Sequence, residues 1–256
     1  MRGMWRALAK LDRVGSWADS ALGFFYPEVC QICAGRRATK GEGYVCPDCW
    51  ARPDGVRFIK PPFCNVCGLP YEGDISGEFE CSNCREMDLH FSHARAAVVA
   101  TGMLLDVIHR YKYSRALWFE PFLSDLLVRA AKPELECARV DCLIPVPLHS
   151  MKEKEREFNQ ANRLANRLSA ATGIPCLNRA VMRVRDTETQ TQLTRNQRAK
   201  NMSNAFEATG RGDVSGQRVV VVDDVLTTGA TTAACAKALR KAGARDVIVW
   251  TVARGV

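Results

Sequence analysis

The residues best placed to do chemistry lie in one run, VVVVDDVLTTGAT, at positions 219–231. Four consecutive valines read as a strand buried on both faces. Two carboxylates, Asp223 and Asp224, follow at its carboxyl end, and the loop Thr227, Thr228, Gly229, Ala230 and Thr231 then opens a helix. A helix N-terminus with a small glycine and several hydroxyls is a cradle for an anion. Acids beside an anion cradle repel its ligand unless they meet something else. Sugar hydroxyls or a bound Mg²⁺ would meet them. A ligand that carries both a ribose and phosphates satisfies every group at once. The plainer alternative is a core strand with an ordinary helix cap.

The second chemical signal is sulfur. Eight of the twelve cysteines form four Cys-x-x-Cys pairs: Cys30/Cys33, Cys46/Cys49, Cys64/Cys67 and Cys81/Cys84. Each such turn offers two thiolates to one ion, and two turns complete a tetrahedral zinc site. Twelve residues separate Cys33 from Cys46, and thirteen separate Cys67 from Cys81, so two near-equal units stand in tandem. Two structural zinc ions are expected, against a redox dithiol as the alternative. Sequential pairing closes shorter loops and is preferred to an interleaved one. His90 and His93 are surplus to eight thiolates. A fully thiolate-ligated zinc leaves no open position for substrate, so these sites should hold the fold. Cys137, Cys142, Cys176 and Cys235 stand among apolar neighbours and read as small core residues.

These groups need a scaffold. The chain has 256 residues, 47% hydrophobic and 25% charged, long enough for a sizeable core. Short apolar runs at 96–100, 141–148, 218–222 and 246–253 alternate with helical spacing at 102–113, 116–131, 157–172 and 229–242. Gly173 and Gly243 close two of those helices. Strands interleaved with helices imply an α/β fold, a parallel sheet with helices on both faces. Three segments follow: an amphipathic helical stretch over 1–28, the cysteine-rich region over 29–88, and the α/β unit over 89–256. The first carries Met4, Trp5, Leu8, Leu11, Trp17 and Leu22 among basic residues. It reads as packing on the cysteine region, with a membrane surface or a partner as the alternative.

No run of eighteen apolar residues is present, which excludes a spanning helix over this sequence. No signal peptide is evident, so a cytoplasmic location with reduced thiols is expected. The net charge of +8 favours an anionic partner. Half of it sits in residues 179–201, where six basic residues face two acids. That segment reads as a mobile loop or hairpin. It suits a flap over an anionic ligand, and equally a nucleic-acid patch.

The 219–231 string resembles, position by position, the 5-phosphoribosyl-1-pyrophosphate (PRPP) signature of type I phosphoribosyltransferases. The resemblance implies that Asp223 and Asp224 contact the ribose hydroxyls and that residues 227–231 hold the 5′-phosphate. It also implies Mg²⁺ on the leaving pyrophosphate. LIPVPLH (143–149) running into KEKEREFNQ (152–160) is similar to the pyrophosphate-loop region of glutamine amidophosphoribosyltransferases, which implicates Arg156 and Asn159. The remaining members of the Lys/Glu run read as a solvated loop.

The order of double zinc ribbon, IHRYKY (108–113), IPVPLH (144–149), FNQ (158–160), QTQLTRNQRAKN (190–201) and VVVVDDVLTTGAT resembles the ComF family. That likeness implies a type I phosphoribosyltransferase-like sheet behind a small zinc-ribbon domain. It also implies roles for Lys112 and for Arg195 and Arg198 in ligand binding. Lys112 as a plain helix-end charge is the alternative. Two positions depart from the family pattern: Glu157 and Gln192 stand where glycine is usual. Three functions remain open: transfer of phosphoribosyl to an unknown nitrogenous acceptor, PRPP binding without catalysis in DNA uptake, and binding of single-stranded DNA or the uptake machinery.

Overall fold

The computed structural model describes residues 28–73, 77–185 and 204–255. The amphipathic stretch, save residue 28, and the greater part of the basic segment, with Arg195 and Arg198, lie outside the described residues.

Four parallel strands form the main sheet: β1 (His93–Val99), β2 (Cys142–Pro145), β5 (Arg218–Leu226) and β6 (Asp246–Arg254), in the order β1-β6-β5-β2. β3 (Val181–Arg183) and β4 (Phe206–Ala208) pair antiparallel at the base of the basic segment. Alternation along the central strands builds two cores. Val220, Val222, Ile248, Trp250 and Val252 face one. Val219, Val221, Val247 and Val249 face the other. Both faces of a parallel sheet must be covered, which is why these strands read as unbroken apolar runs.

The first face is covered by α3 (Gly102–Tyr113), α4 (Glu120–Ala138) and α6 (Gln160–Thr172), and the second by α7 (Ala230–Lys241). Thr101 caps α3 by accepting from the Leu104 N–H. Gly173 ends α6 at φ +75°, a left-handed position that glycine occupies without strain. α4 runs on to Ala138, past the limit expected from spacing, because Leu135 is still buried beyond the exposed Pro133.

Three expectations are corrected. The Lys/Glu run is not a loop: Ser150–Arg156 form a short helix, α5. The helix expected from residue 157 starts at Gln160, where the Asn159 side chain accepts from the Asn162 N–H. Cys137 is exposed and Cys176 only half-buried, so of the four unpaired cysteines just Cys142 and Cys235 are core residues. Cys137 lies in the last turn of α4.

The cysteine region does not stand apart. Residues 57–59 lie antiparallel along the edge of β1, with the Ile59 N–H donating to Ala97 O and the Val99 N–H to Arg57 O. That pairing blunts an otherwise open sheet edge. Cys30, Ala38, Val45, Cys46 and Cys49 belong to the first core, and Cys64, Cys67, Cys81 and Cys84 to the second. One ribbon therefore packs on each face of the sheet. Among the described residues no helix is long and apolar enough to cross a membrane.

Candidate phosphoribosyl site and zinc centres

The eight paired cysteines gather as Cys30, Cys33, Cys46, Cys49 and as Cys64, Cys67, Cys81, Cys84, the sequential pairing. Four sulfurs at about 2.3 Å from one zinc stand about 3.8 Å apart in a tetrahedron. Cys30–Cys49 and Cys33–Cys46 are each 3.8 Å apart. Cys64–Cys84 and Cys67–Cys81 are 3.8 and 3.7 Å. The donor set and its spacing fit a structural zinc in each site. Helices α1 (Pro47–Ala51) and α2 (Ser82–Arg85) begin directly after the third cysteine of each cluster and carry the fourth. Burial opposes ionisation of the Cys30 thiol, yet the N–H groups of Cys46, Cys33 and Ile32 outweigh it and bring its pKa down to about 7. Cys64 repeats this with Cys81, Cys67 and Val66. The thiolate is the form that binds metal. His90 and His93 stay out of both clusters.

On the sheet, β5 runs farther than the valines alone suggested. It pairs with β6 through Leu226, whereas β2 stops at Pro145, opposite Val222. The Val146 N–H still donates to Val222 O at 2.9 Å, and beyond it β5 runs on without β2. Asp223 and Asp224 therefore have a strand on one side and a notch on the other. Ligands of open parallel sheets bind in such a place, outside the carboxyl ends of the strands. Gly229 then turns the chain at φ +82° into α7, and its left-handed backbone accounts for the glycine. The Thr228 hydroxyl accepts from the Ala230 N–H at 3.4 Å.

The two acids are not equivalent. The Lys112 Nζ lies 2.7 Å from Asp224 Oδ1, and both groups are largely buried. Burial disfavours the Lys112 ammonium, but Asp224 and Asp223 outweigh it and hold its pKa above the ordinary value. Asp223 Oδ1 accepts the Asp224 N–H at 2.9 Å. Burial and the Asp224 carboxylate push the Asp223 pKa up to about 7, against the pull of Lys112. One carboxylate is thus neutralised by a cation and the other is poised to gain or lose a proton near neutrality.

The rim is built by α3 and α5. The Arg156 guanidinium stacks 4.6 Å over the ring of Tyr113, which is 57% exposed and adjacent in sequence to Lys112. Arg156 is thus brought beside the α3 end of the site. Asn159 is engaged otherwise: its Nδ2 donates to Val146 O at 3.0 Å while its Oδ1 caps α6. It pins the 145–149 turn to the helix behind it. Glu157 sits at φ +66° and closes α5 in the left-handed region, which explains why glycine is usual there. Its carboxylate pairs with Arg115 at 3.1 Å, but the two side chains are 64% and 58% exposed. An exposed pair contributes about 0–1 kcal/mol, whereas a left-handed non-glycine residue costs roughly 1–2 kcal/mol. Glu157→Gly is therefore expected to raise stability by about 0.5–1 kcal/mol in urea denaturation. A lowered midpoint would show that the Arg115 pair outweighs the strain.

The comparisons with known proteins agree with this geometry. A family model for a double zinc ribbon domain matches residues 21–86, and one for a phosphoribosyl transferase domain matches residues 158–255. Competence protein F of Haemophilus influenzae is 34% identical over 78% of this chain and 93% of its own length. The chain belongs to the ComF family. The DNA utilization protein YhgH of Escherichia coli K12 is 30% identical over 88% of this chain and 90% of its own. Competence protein ComFC of Bacillus subtilis is 27% identical over 89% and 84%. In this ComF-family chain, the type I phosphoribosyltransferase-like parallel sheet and the two four-cysteine ribbons stand as the residues implied.

One residue that lies against the site was not singled out by sequence reasoning. Arg254 ends β6 and is only 3% exposed, with its guanidinium against both the loop after Asp224 and the second zinc cluster. The signal was a lone cation closing the apolar run DVIVWTVAR.

Proposed function

We propose that this protein binds PRPP with Mg²⁺ and transfers its phosphoribosyl group to a nitrogenous acceptor, releasing pyrophosphate. The observation that carries the reading is the paired acids Asp223 and Asp224 in the sheet notch, followed directly by the glycine-turned threonine loop. In that reading the loop at 227–231 accepts the 5′-phosphate with its N–H groups and hydroxyls. The two carboxylates accept the ribose hydroxyls. The C1–O bond to pyrophosphate breaks as the acceptor nitrogen gives its lone pair to C1, and the acceptor's proton leaves to solvent. Positive charge builds on the sugar in between, and the adjacent carboxylates favour it. Mg²⁺, when bound, neutralises the departing pyrophosphate. Lys112 holds Asp224 in place, and Arg156 stands at the pyrophosphate side of the rim. Arg195 and Arg198 belong to the basic segment that would close over the phosphates.

Calorimetric titration with PRPP and Mg²⁺, followed by a pyrophosphate-release assay over a panel of amines and bases, tests this. Binding with release supports transfer. The names of the relatives, competence and DNA utilization, favour a second reading: a PRPP-binding accessory of DNA uptake acting in the cytoplasm, for which binding without release is the expected result. If single-stranded DNA is the partner instead, binding falls steeply with salt and survives Asp224→Asn.

The poised Asp223 adds a pH dependence. The free protein is mostly protonated there below pH 7, and ribose hydroxyls favour the ionised form. Binding then expels a proton, so affinity rises with pH. With a pKa of about 7, apparent PRPP affinity is expected to be about tenfold higher at pH 8 than at pH 6. Titrations in buffers of different ionisation heat should register the released proton, and Asp223→Asn should remove it. An unchanged proton count in that variant would assign the dependence to the ligand's own phosphates.

A further inference from the structure

The second zinc ribbon touches the phosphate loop. Cys67, Cys84, Met87, Leu89 and Phe91 on one side and Leu226, Thr228, Gly229 and Arg254 on the other line one small cavity. Arg254 spans this junction. Its Nε donates to Cys67 O at 3.0 Å and its Nη2 to Cys67 Sγ at 3.4 Å. Its Nη1 donates to Leu226 O at 2.9 Å and Thr227 O at 2.7 Å, and also to Gly255 O. One guanidinium therefore grips a zinc ligand with one edge and the first residues of the loop with another. Four of its five acceptors are neutral carbonyl oxygens. The fifth is the Cys67 sulfur, a member of the four-cysteine cluster.

We propose that Arg254 is a positioning residue that makes zinc occupancy of the Cys64–Cys67–Cys81–Cys84 site a determinant of PRPP affinity. The proposal rests on the phosphoribosyl reading of the loop. With zinc bound, the four-cysteine cluster holds the Cys64–Cys67 turn rigid, so the Cys67 carbonyl and sulfur that accept from Arg254 are fixed in place. The guanidinium is then fixed, and with it the Leu226 and Thr227 carbonyls that set where the loop begins. Without zinc, the Cys64–Cys67 turn loses its anchor, and Arg254 loses the fixed place of two of its five acceptors. Arg254 then turns toward water and releases the loop. The first zinc site belongs to the opposite core, against Phe122 and α4, and among the described residues no hydrogen bond joins it to the loop. The coupling is specific to one ion of the two. By reciprocity, a ligand in the loop tightens the second zinc.

The test uses the full zinc-loaded chain. A calorimetric titration with PRPP and Mg²⁺ is run first. Zinc is then withdrawn with a chromogenic chelator in the presence of an alkylating agent, with and without saturating PRPP, and the labelled cysteines are read by mass spectrometry. The expected result is that PRPP slows labelling of Cys64, Cys67, Cys81 and Cys84 at least fivefold. Labelling of Cys30, Cys33, Cys46 and Cys49 should keep its rate. In Arg254→Gln, PRPP affinity should fall about tenfold and the protection should disappear. Arg254→Lys, which keeps the charge without the fork, should retain part of it. The wild-type measurement stands even where Arg254→Gln fails to fold. Wild type that binds PRPP without site-selective protection overturns the coupling alone, as does full protection in Arg254→Gln. Wild type that binds no PRPP overturns the phosphoribosyl reading and the coupling together.

Discussion

The double variant Asp223→Asn, Asp224→Asn is expected to lose all stabilisation by PRPP and Mg²⁺ while keeping two zinc ions per chain. In the wild type, ligand at a hundred times its Kd should add about 2.7 kcal/mol, and the variant should show none in thermal unfolding. An amide keeps the shape of the carboxyl, so the notch beside β2 survives. It presents one acceptor oxygen where the carboxylate presents two, and its NH₂ opposes a hydroxyl donor. It also removes the negative charge that a cationic sugar would need. The single variants should separate in the ligand-free protein. Asp223→Asn relieves a repulsion between neighbouring carboxylates and should unfold no earlier than wild type. Asp224→Asn strips the partner 2.7 Å from Lys112 and should cost a few kcal/mol, since a buried charge without its partner is strongly destabilising. Lys112→Met should cost a similar amount and push Asp223, which Lys112 pulls toward ionisation, further toward protonation. That variant should recover stability as the pH falls, because a carboxyl with a raised folded-state pKa destabilises as pH rises through it. A ligand-induced shift that persists in the double variant would remove the ribose assignment.

What could be read in advance follows from how local each feature is. The parallel sheet was legible because valines and isoleucines at 219–222 and 247–249 are buried on both faces, and burial on both faces writes itself as an unbroken apolar run. The zinc pairing was legible because loop closure favours neighbouring Cys-x-x-Cys turns. The twin acids and their loop were legible because strand, turn and helix cap are contiguous. The Lys112–Asp224 pair was not, since its members stand 112 positions apart and only the packing of α3 beside β5 joins them. Arg254 was hidden for the same reason: its partners at Cys67 and Leu226 are 187 and 28 residues away. Glu157 was visible as a departure from a glycine pattern, but its meaning, a left-handed helix end, needed the backbone. The Lys/Glu run misled because charge alternation over seven residues fits a solvated helix as well as a loop.

The boundary at residue 88 reads as a domain border in composition, yet a chain beginning at residue 89 is expected not to fold cooperatively. Both cores would lose a wall. On one face Phe122 meets the turn at Gly43, where a Cβ would stand 2.6 Å from the Phe122 nitrogen, so the fit there is at backbone contact. On the other, the residues beneath Gly229 are Leu89 and Phe91, which the second ribbon holds in place. The edge of β1 would lose its bonds to Arg57, Ile59 and Val66 and lie open to pairing with other copies. A domain of this size is stable by about 5–15 kcal/mol, and structural zinc in small modules supplies about 10–16 kcal/mol of apparent binding energy that doubles as folding energy. Removing the ribbons, or withdrawing both ions from the full chain, takes away more than the sheet can spare. The expected result is one broad transition without near-ultraviolet dichroism, where the zinc-loaded chain melts sharply and as one unit. Hydrogen exchange should report the same union, with amides of β1 and β5 losing protection when zinc is withdrawn. If the fragment keeps a sharp transition, or β1 stays protected without zinc, then the ribbons only decorate a self-sufficient sheet. The contact of Arg254 with Cys67 would in that case join two units that fold apart.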